Sequence, residues 1–149
     1  MAMENTRKYP VGIQTFERIR KEGYIYIDKT DLVWQAARES PFVFLSRPRR
    51  FGKSLLSTTF DAYFKGQKEL FEGLKIMDLE TEWNSFPVIH LDLSSAKNQR
   101  TPDELKDMLM FIMEPHSQEY GMEKSENSPG KLLAGMIRRA YIQTGGRYH

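Results

Sequence analysis

The chain has 149 residues, 40% of them hydrophobic and 12% aromatic, with a formal net charge of +2. That length fits one domain with its own core, and the composition excludes disorder throughout. The small net charge gives no bulk electrostatic reason to hold nucleic acid or anionic membrane, and the lack of cysteine excludes disulfides and thiolate metal sites.

The start, through Gly12, has no apolar signal core, and no run reaches transmembrane length, so a soluble cytoplasmic protein without a membrane partner is expected. From Gln14 to Lys21, Phe16 and Ile19 stand among charges, which predicts a short amphipathic helix stopped by Gly23. Tyr24 to Ile27 is aromatic and β-branched and predicts a strand. Asp28 or Thr30 can cap a helix carrying Leu32, Val33, Ala36 and Ala37, which ends before Ser40-Pro41.

Phe42 to Leu45 is a short apolar run of the kind a buried strand needs. Ser46 to Ser54 follows, and a helix opens at Lys53 with Leu56, Phe60, Tyr63 and Phe64 on one face. Strand, loop, Gly-Lys-Ser and helix in that order are the setting of a phosphate-binding loop. The helix start directs free N–H groups and a positive dipole end at an anion. Gly52 lets the backbone approach, Lys53 would reach the β- and γ-phosphates, and the Ser54 hydroxyl would ligate Mg²⁺. The usual pattern G-x-x-x-x-G-K-[ST] has its first glycine where this chain has Arg47.

Further on, Gly66 and Gly73 bracket a connection with room for one helical turn, and Trp83 and Phe86 read as core or rim aromatics. Pro87 to Ser94 predicts a second buried strand, parallel to Phe42–Leu45 through a helical crossover, with His90 as a satisfied core residue. Thr101-Pro102-Asp103-Glu104 is a capping box before a helix carrying Leu105, Met108, Leu109 and Ile112. Glu114 to Gly130 is polar and reads as a mobile loop. A last helix places Leu132 or Leu133, Met136, Ile137, Ala140 and Tyr141 inward, and Arg138 and Arg139 outward. His90, His116 and His149 share no metal-ligand spacing.

The stretch Arg47-Pro48-Arg49-Arg50-Phe51-Gly52-Lys53-Ser54 resembles the R-P-R-R-F-G-K-[ST] Walker A signature of the bacterial AAA-ATPase-like family. Tyr9 to Phe16 and Gly23 to Thr30 resemble that family's amino-terminal signature, and Phe86 to Ser94 agrees more loosely. The resemblance makes Arg47 the family's normal form and assigns nucleotide binding to Arg47, Pro48, Arg49, Arg50, Phe51, Gly52, Lys53, Ser54 and Leu55. Lys53 would be the catalytic group and Ser54 the magnesium ligand, with ATP and Mg²⁺ as cofactors. It also brings Asp28-Lys29-Thr30 towards the nucleotide, an alternative to the helix cap. Longer relatives often carry a nuclease domain.

The expected fold is α/β, a P-loop NTPase-type three-layer sandwich with a parallel sheet. Residues 1–149 would be its amino-terminal portion, ending before the acidic Walker B strand. Asp92, in the run Val88 to Asp92, is the one candidate in the chain for that acidic site, but Leu93 follows it where a glutamate base is usual. The expected function is ATP binding within an ATPase that this chain alone would not complete. The missing strand would leave a sheet edge open to self-association. The alternative is a non-hydrolytic interaction or nucleic-acid-binding module that uses the basic loop. A kinase- or sulfotransferase-like transferase is disfavoured because no acceptor-activating pair stands out.

Overall fold

A computed structural model of the chain describes residues 7–48, 52–94 and 98–146. Among these described residues are five α-helices, α1 (Phe16–Lys21), α2 (Thr30–Glu39), α3 (Lys53–Phe64), α4 (Pro102–Tyr120) and α5 (Pro129–Gln143). The 3-10 turns Lys68–Phe71 and Lys75–Asp78 follow α3. The chain divides into two compact units, one ending at Phe86 and one beginning at Pro87.

The core of the first unit gathers Phe16 of α1, Ala62 of α3, Leu70, Phe71 and Ile76 of the two turns, and Leu74 just before the second. Phe16 and Phe71 bring their rings to 4.8 Å, and Trp83 reaches Phe71 at 5.2 Å, so the expected aromatic role of Trp83 holds. The first turn closes the connection that the two glycines bracket. On α3 the buried positions are Thr59 and Ala62, whereas Leu56 and Phe60 are only half-buried. This corrects the predicted inward face, because the core approaches α3 one position away from its largest side chains.

The Glu80 carboxylate is buried in this unit. It accepts the Tyr63 hydroxyl and the N–H groups of Thr81 and Glu82, with Arg38 at 3.5 Å. Burial pushes the Glu80 carboxyl up, but the Tyr63 hydrogen bond, the Glu82 N–H and Arg38 outweigh it and hold it below the usual range. Burial and the neighbouring carboxylate both raise the Tyr63 phenol.

The second unit packs α4 on α5 through Met113, Tyr120, Leu132, Met136 and Ala140, with Ile89 and Leu91 against them. The Thr101 half of the capping box forms as predicted, with Thr101 Oγ1 accepting the Glu104 N–H at 3.2 Å, while Glu104 Oε2 reaches back one residue further and accepts the Arg100 N–H at 2.8 Å. Glu114 to Tyr120, expected as loop, continues α4 through Pro115. Met113 and Tyr120 lie two helical turns apart on one buried stripe, which holds the polar segment in the helix.

Arg139 corrects a second expectation by pointing inward. Its guanidinium donates to Tyr120 O at 2.7 Å, Gly121 O at 2.8 Å and the buried Glu126 carboxylate at 2.6 Å. The segment after α4 is thereby tied to α5. Gly135 makes the approach feasible, since a Cβ there would stand 1.8 Å from Glu126 Oε2. Ile137 and Tyr141, read as inward, are exposed, as is His90.

No strand or sheet occurs among the described residues, which corrects the expected α/β class, the parallel sheet and the three-layer sandwich. An apolar run becomes a strand only when a partner chain satisfies its N–H and C=O groups. Phe42–Leu45 has no such partner among the described residues, and Phe42 is 88% and Phe44 91% exposed. Val88–Leu93 forms no ladder either; Ile89 and Leu91 spend their apolar surface on α4 and α5 instead. At Tyr24–Ile27, Ile25 N–H donates to Lys8 O at 2.9 Å and Tyr26 packs on Phe16, again without a ladder. The sheet edge invoked for self-association is therefore absent from the described residues.

Candidate functional site

The site is built from the start of α3. Gly52 has φ +82°, in the left-handed region that disfavours any Cβ. Its carbonyl accepts the Leu56 N–H at 2.9 Å, and α3 opens at Lys53, where the sequence places it. The first-turn N–H groups of any helix lack intrahelical partners. Elsewhere in the chain these starts are compensated locally. Glu17, Asp31, and Asp103 with Glu104 stand in the first turns of α1, α2 and α4, and Ser128 caps α5 by accepting the Lys131 N–H at 3.4 Å. The first turn of α3 carries no acid, and Gly52 has no side chain to cap it. Lys53 and Ser54 are exposed there. Among the described residues, neither an acid in the first turn nor a capping side chain offsets the positive end of α3.

The packing of α3 on α1 fixes this end. Thr58 Oγ1 accepts the Phe16 N–H at 3.0 Å and donates to the carbonyls of its own helix, Leu55 O lying 3.0 Å away. Beside the helix start lies an open cleft of about 430 Å³, lined by Arg47, Gly52, Leu55 and Lys29 and by apolar side chains including Leu32 and Phe60. Of the predicted nucleotide residues, the structure brings Arg47, Gly52 and Leu55 to this cleft. Lys53 and Ser54 follow Gly52 on the exposed first turn, and Pro48 is exposed. Arg49, Arg50 and Phe51 lie outside the described residues.

The tripeptide Asp28-Lys29-Thr30 divides its work. Asp28 Oδ1 accepts the Thr30 N–H at 2.9 Å and the Thr30 hydroxyl at 2.6 Å, while Oδ2 accepts the Lys75 N–H at 2.7 Å. The Thr30 hydroxyl in turn accepts the Ile76 N–H at 3.1 Å. Burial alone would push the Asp28 carboxyl up, but these hydrogen bonds hold it below the usual carboxylate range. Asp28 and Thr30 therefore start α2 and tie it to the second 3-10 turn. Lys29 is exposed and lines the cleft with Arg47 and Gly52. Sequence reasoning treated the tripeptide as a unit and did not single out Lys29; its signal was a cation between two committed capping residues.

Asp92 belongs to the second unit, where its Oδ1 accepts the Ser94 N–H at 2.9 Å. No group of three or more His, Cys, Asp or Glu suited to a metal occurs among the described residues. Magnesium needs no such group, since it commonly takes one or two protein oxygens and completes its shell with phosphate and water. An exposed Ser54 hydroxyl at a helix start fits that role.

The family model described as Predicted AAA-ATPase matches residues 10–148. The chain belongs to this AAA-ATPase-like family. It is 33% identical over 143 residues to an Azotobacter chroococcum mcd 1 protein described as "Uncharacterized protein in vnfD 5'region", covering 95% of this chain. The chain spans 27% of the length of that relative. No solved structure matches it. No helix among the described residues is long and apolar enough to cross a membrane.

Proposed function

We propose that the start of α3 binds the phosphates of ATP together with Mg²⁺. The observation that carries this reading is a helix start with no acid in its first turn and no capping side chain, preceded by a left-handed glycine and opening on Lys53-Ser54. Membership of a family described as Predicted AAA-ATPase supports it. In this reading the loop from Arg47 to Leu55, including Pro48, Arg49, Arg50 and Phe51, surrounds the phosphates. The α3 N–H groups and the Gly52 backbone receive anionic oxygens, and Lys53 donates to the β- and γ-phosphates. Ser54 holds the metal, which when bound neutralises charge on the phosphate oxygens. Lys29 adds a cation at the neighbouring cleft.

Titration with ATP–Mg²⁺ and with random duplex DNA at two salt concentrations tests the assignment. Saturable ATP binding, strengthened by Mg²⁺, is expected. DNA binding that falls steeply with salt, with no ATP binding, would replace it with the basic interaction module.

A further inference from the structure

The first unit holds a second cavity, of about 610 Å³, lined by Arg7, Lys8, Arg20, Lys21, Glu22 and Tyr24 among others. Its volume falls in the range of small-ligand pockets, about 300–1,000 Å³. The charge balance within it is lopsided. The Glu22 carboxylate accepts Arg18 Nε at 2.9 Å, and Lys21 Nζ lies 2.5 Å from Glu17, so Glu17 of α1 and Glu22 at its end are each matched by a cation of that helix.

Arg20 is held differently. Its Nε donates to Leu70 O at 2.7 Å and its Nη2 to Glu72 O at 2.5 Å. Carbonyl oxygens fix the guanidinium without cancelling its charge. Lys8 is anchored through its own carbonyl, which accepts the Ile25 N–H at 2.9 Å, leaving its side chain exposed. A cavity with an immobilised guanidinium and two flanking cations concentrates positive potential at one place.

We infer that this cavity binds a compact polyphosphate anion, the oligophosphate group of a small ligand, at a site separate from the start of α3. Its short run of cations and single lining aromatic, Tyr24, suit a compact anion better than a strand, which needs a longer basic track with repeated stacking rings. The inference does not depend on nucleotide binding at α3.

The test is calorimetric titration with inorganic tripolyphosphate on the chain carrying Lys53→Ala, which removes the principal cation of the α3 site. The same chain with Arg7→Ala and Lys8→Ala added is the comparison; both side chains are exposed, and the Ile25–Lys8 backbone bond survives, as circular dichroism would verify. Binding in the first chain and a loss of about tenfold or more in the second are expected, with Lys8→Arg retaining affinity. No binding at low salt, or equal affinity in both chains, would overturn the inference. So would a single-stranded oligonucleotide that binds more tightly through the same residues.

Discussion

The Asp28 carboxylate accepts the backbone N–H of Lys75 at 2.7 Å, across 47 positions of sequence. Its other oxygen holds the first turn of α2, so one side chain sets where α2 begins and where the following 3-10 turn docks. Lys29, on the cleft beside Gly52, inherits its position from this bond. Asp28→Ala should destabilise the chain by about 1–3 kcal/mol, the cost of leaving such donors unmet. Urea denaturation followed by far-ultraviolet circular dichroism measures it. A change within about 0.5 kcal/mol, typical of surface substitutions, would show that the contact has no structural weight.

The same carboxylate and that of Glu80 give the fold a defined acid response. Both are held below their ordinary values in the folded state. A depressed carboxyl contributes stability that is present above its unfolded pKa, about 4, and lost as pH falls through the folded value. Stability should therefore be flat from neutral pH down to about 5 and decline below 4. Asp28→Asn should flatten the acid limb, in a comparison of denaturation midpoints at pH 7 and pH 3. An unchanged limb would remove Asp28 from this account.

Two phenylalanines should respond in opposite ways. Phe71 is fully buried against Phe16 and Trp83, and Phe71→Ala should cost about 3–5 kcal/mol. Phe44 is 91% exposed, and Phe44→Ser should change stability by no more than about 0.5 kcal/mol. A cost at Phe44 comparable to that at Phe71 would mean that the Phe42–Leu45 run is core after all.

Local chemistry was legible in the sequence where a residue and its backbone partner sit within one turn. The capping box at Thr101–Glu104, the end of α1 before Gly23 and the opening of α3 at Lys53 all follow from such short-range rules. Gly52, Lys53 and Ser54 were placed at the opening of α3 for the same reason. Strands were not legible, because Phe42–Leu45 and Val88–Leu93 announce only apolar surface, and surface can be left exposed or spent on helices. Long-range pairing was equally hidden. Nothing near Arg139 in sequence announces Glu126 as its partner, although Gly135, one turn before it on α5, marks the close approach. The α4 extension had a signal that was overlooked, the Met113–Tyr120 spacing of two turns.

The central claim, that the start of α3 receives phosphate, is tested most directly by titrating ATP–Mg²⁺ into the wild-type chain, Lys53→Ala and Lys65→Ala. Lys53 opens α3, and Lys65 stands at its far end, paired with Asp61 at 3.0 Å. Lys53→Ala should weaken binding by about 1.5–3 kcal/mol, the worth of a charge-assisted hydrogen bond, while Lys65→Ala leaves it unchanged. Equal losses from both substitutions, or wild-type affinity in Lys53→Ala, would contradict a phosphate site at this helix start.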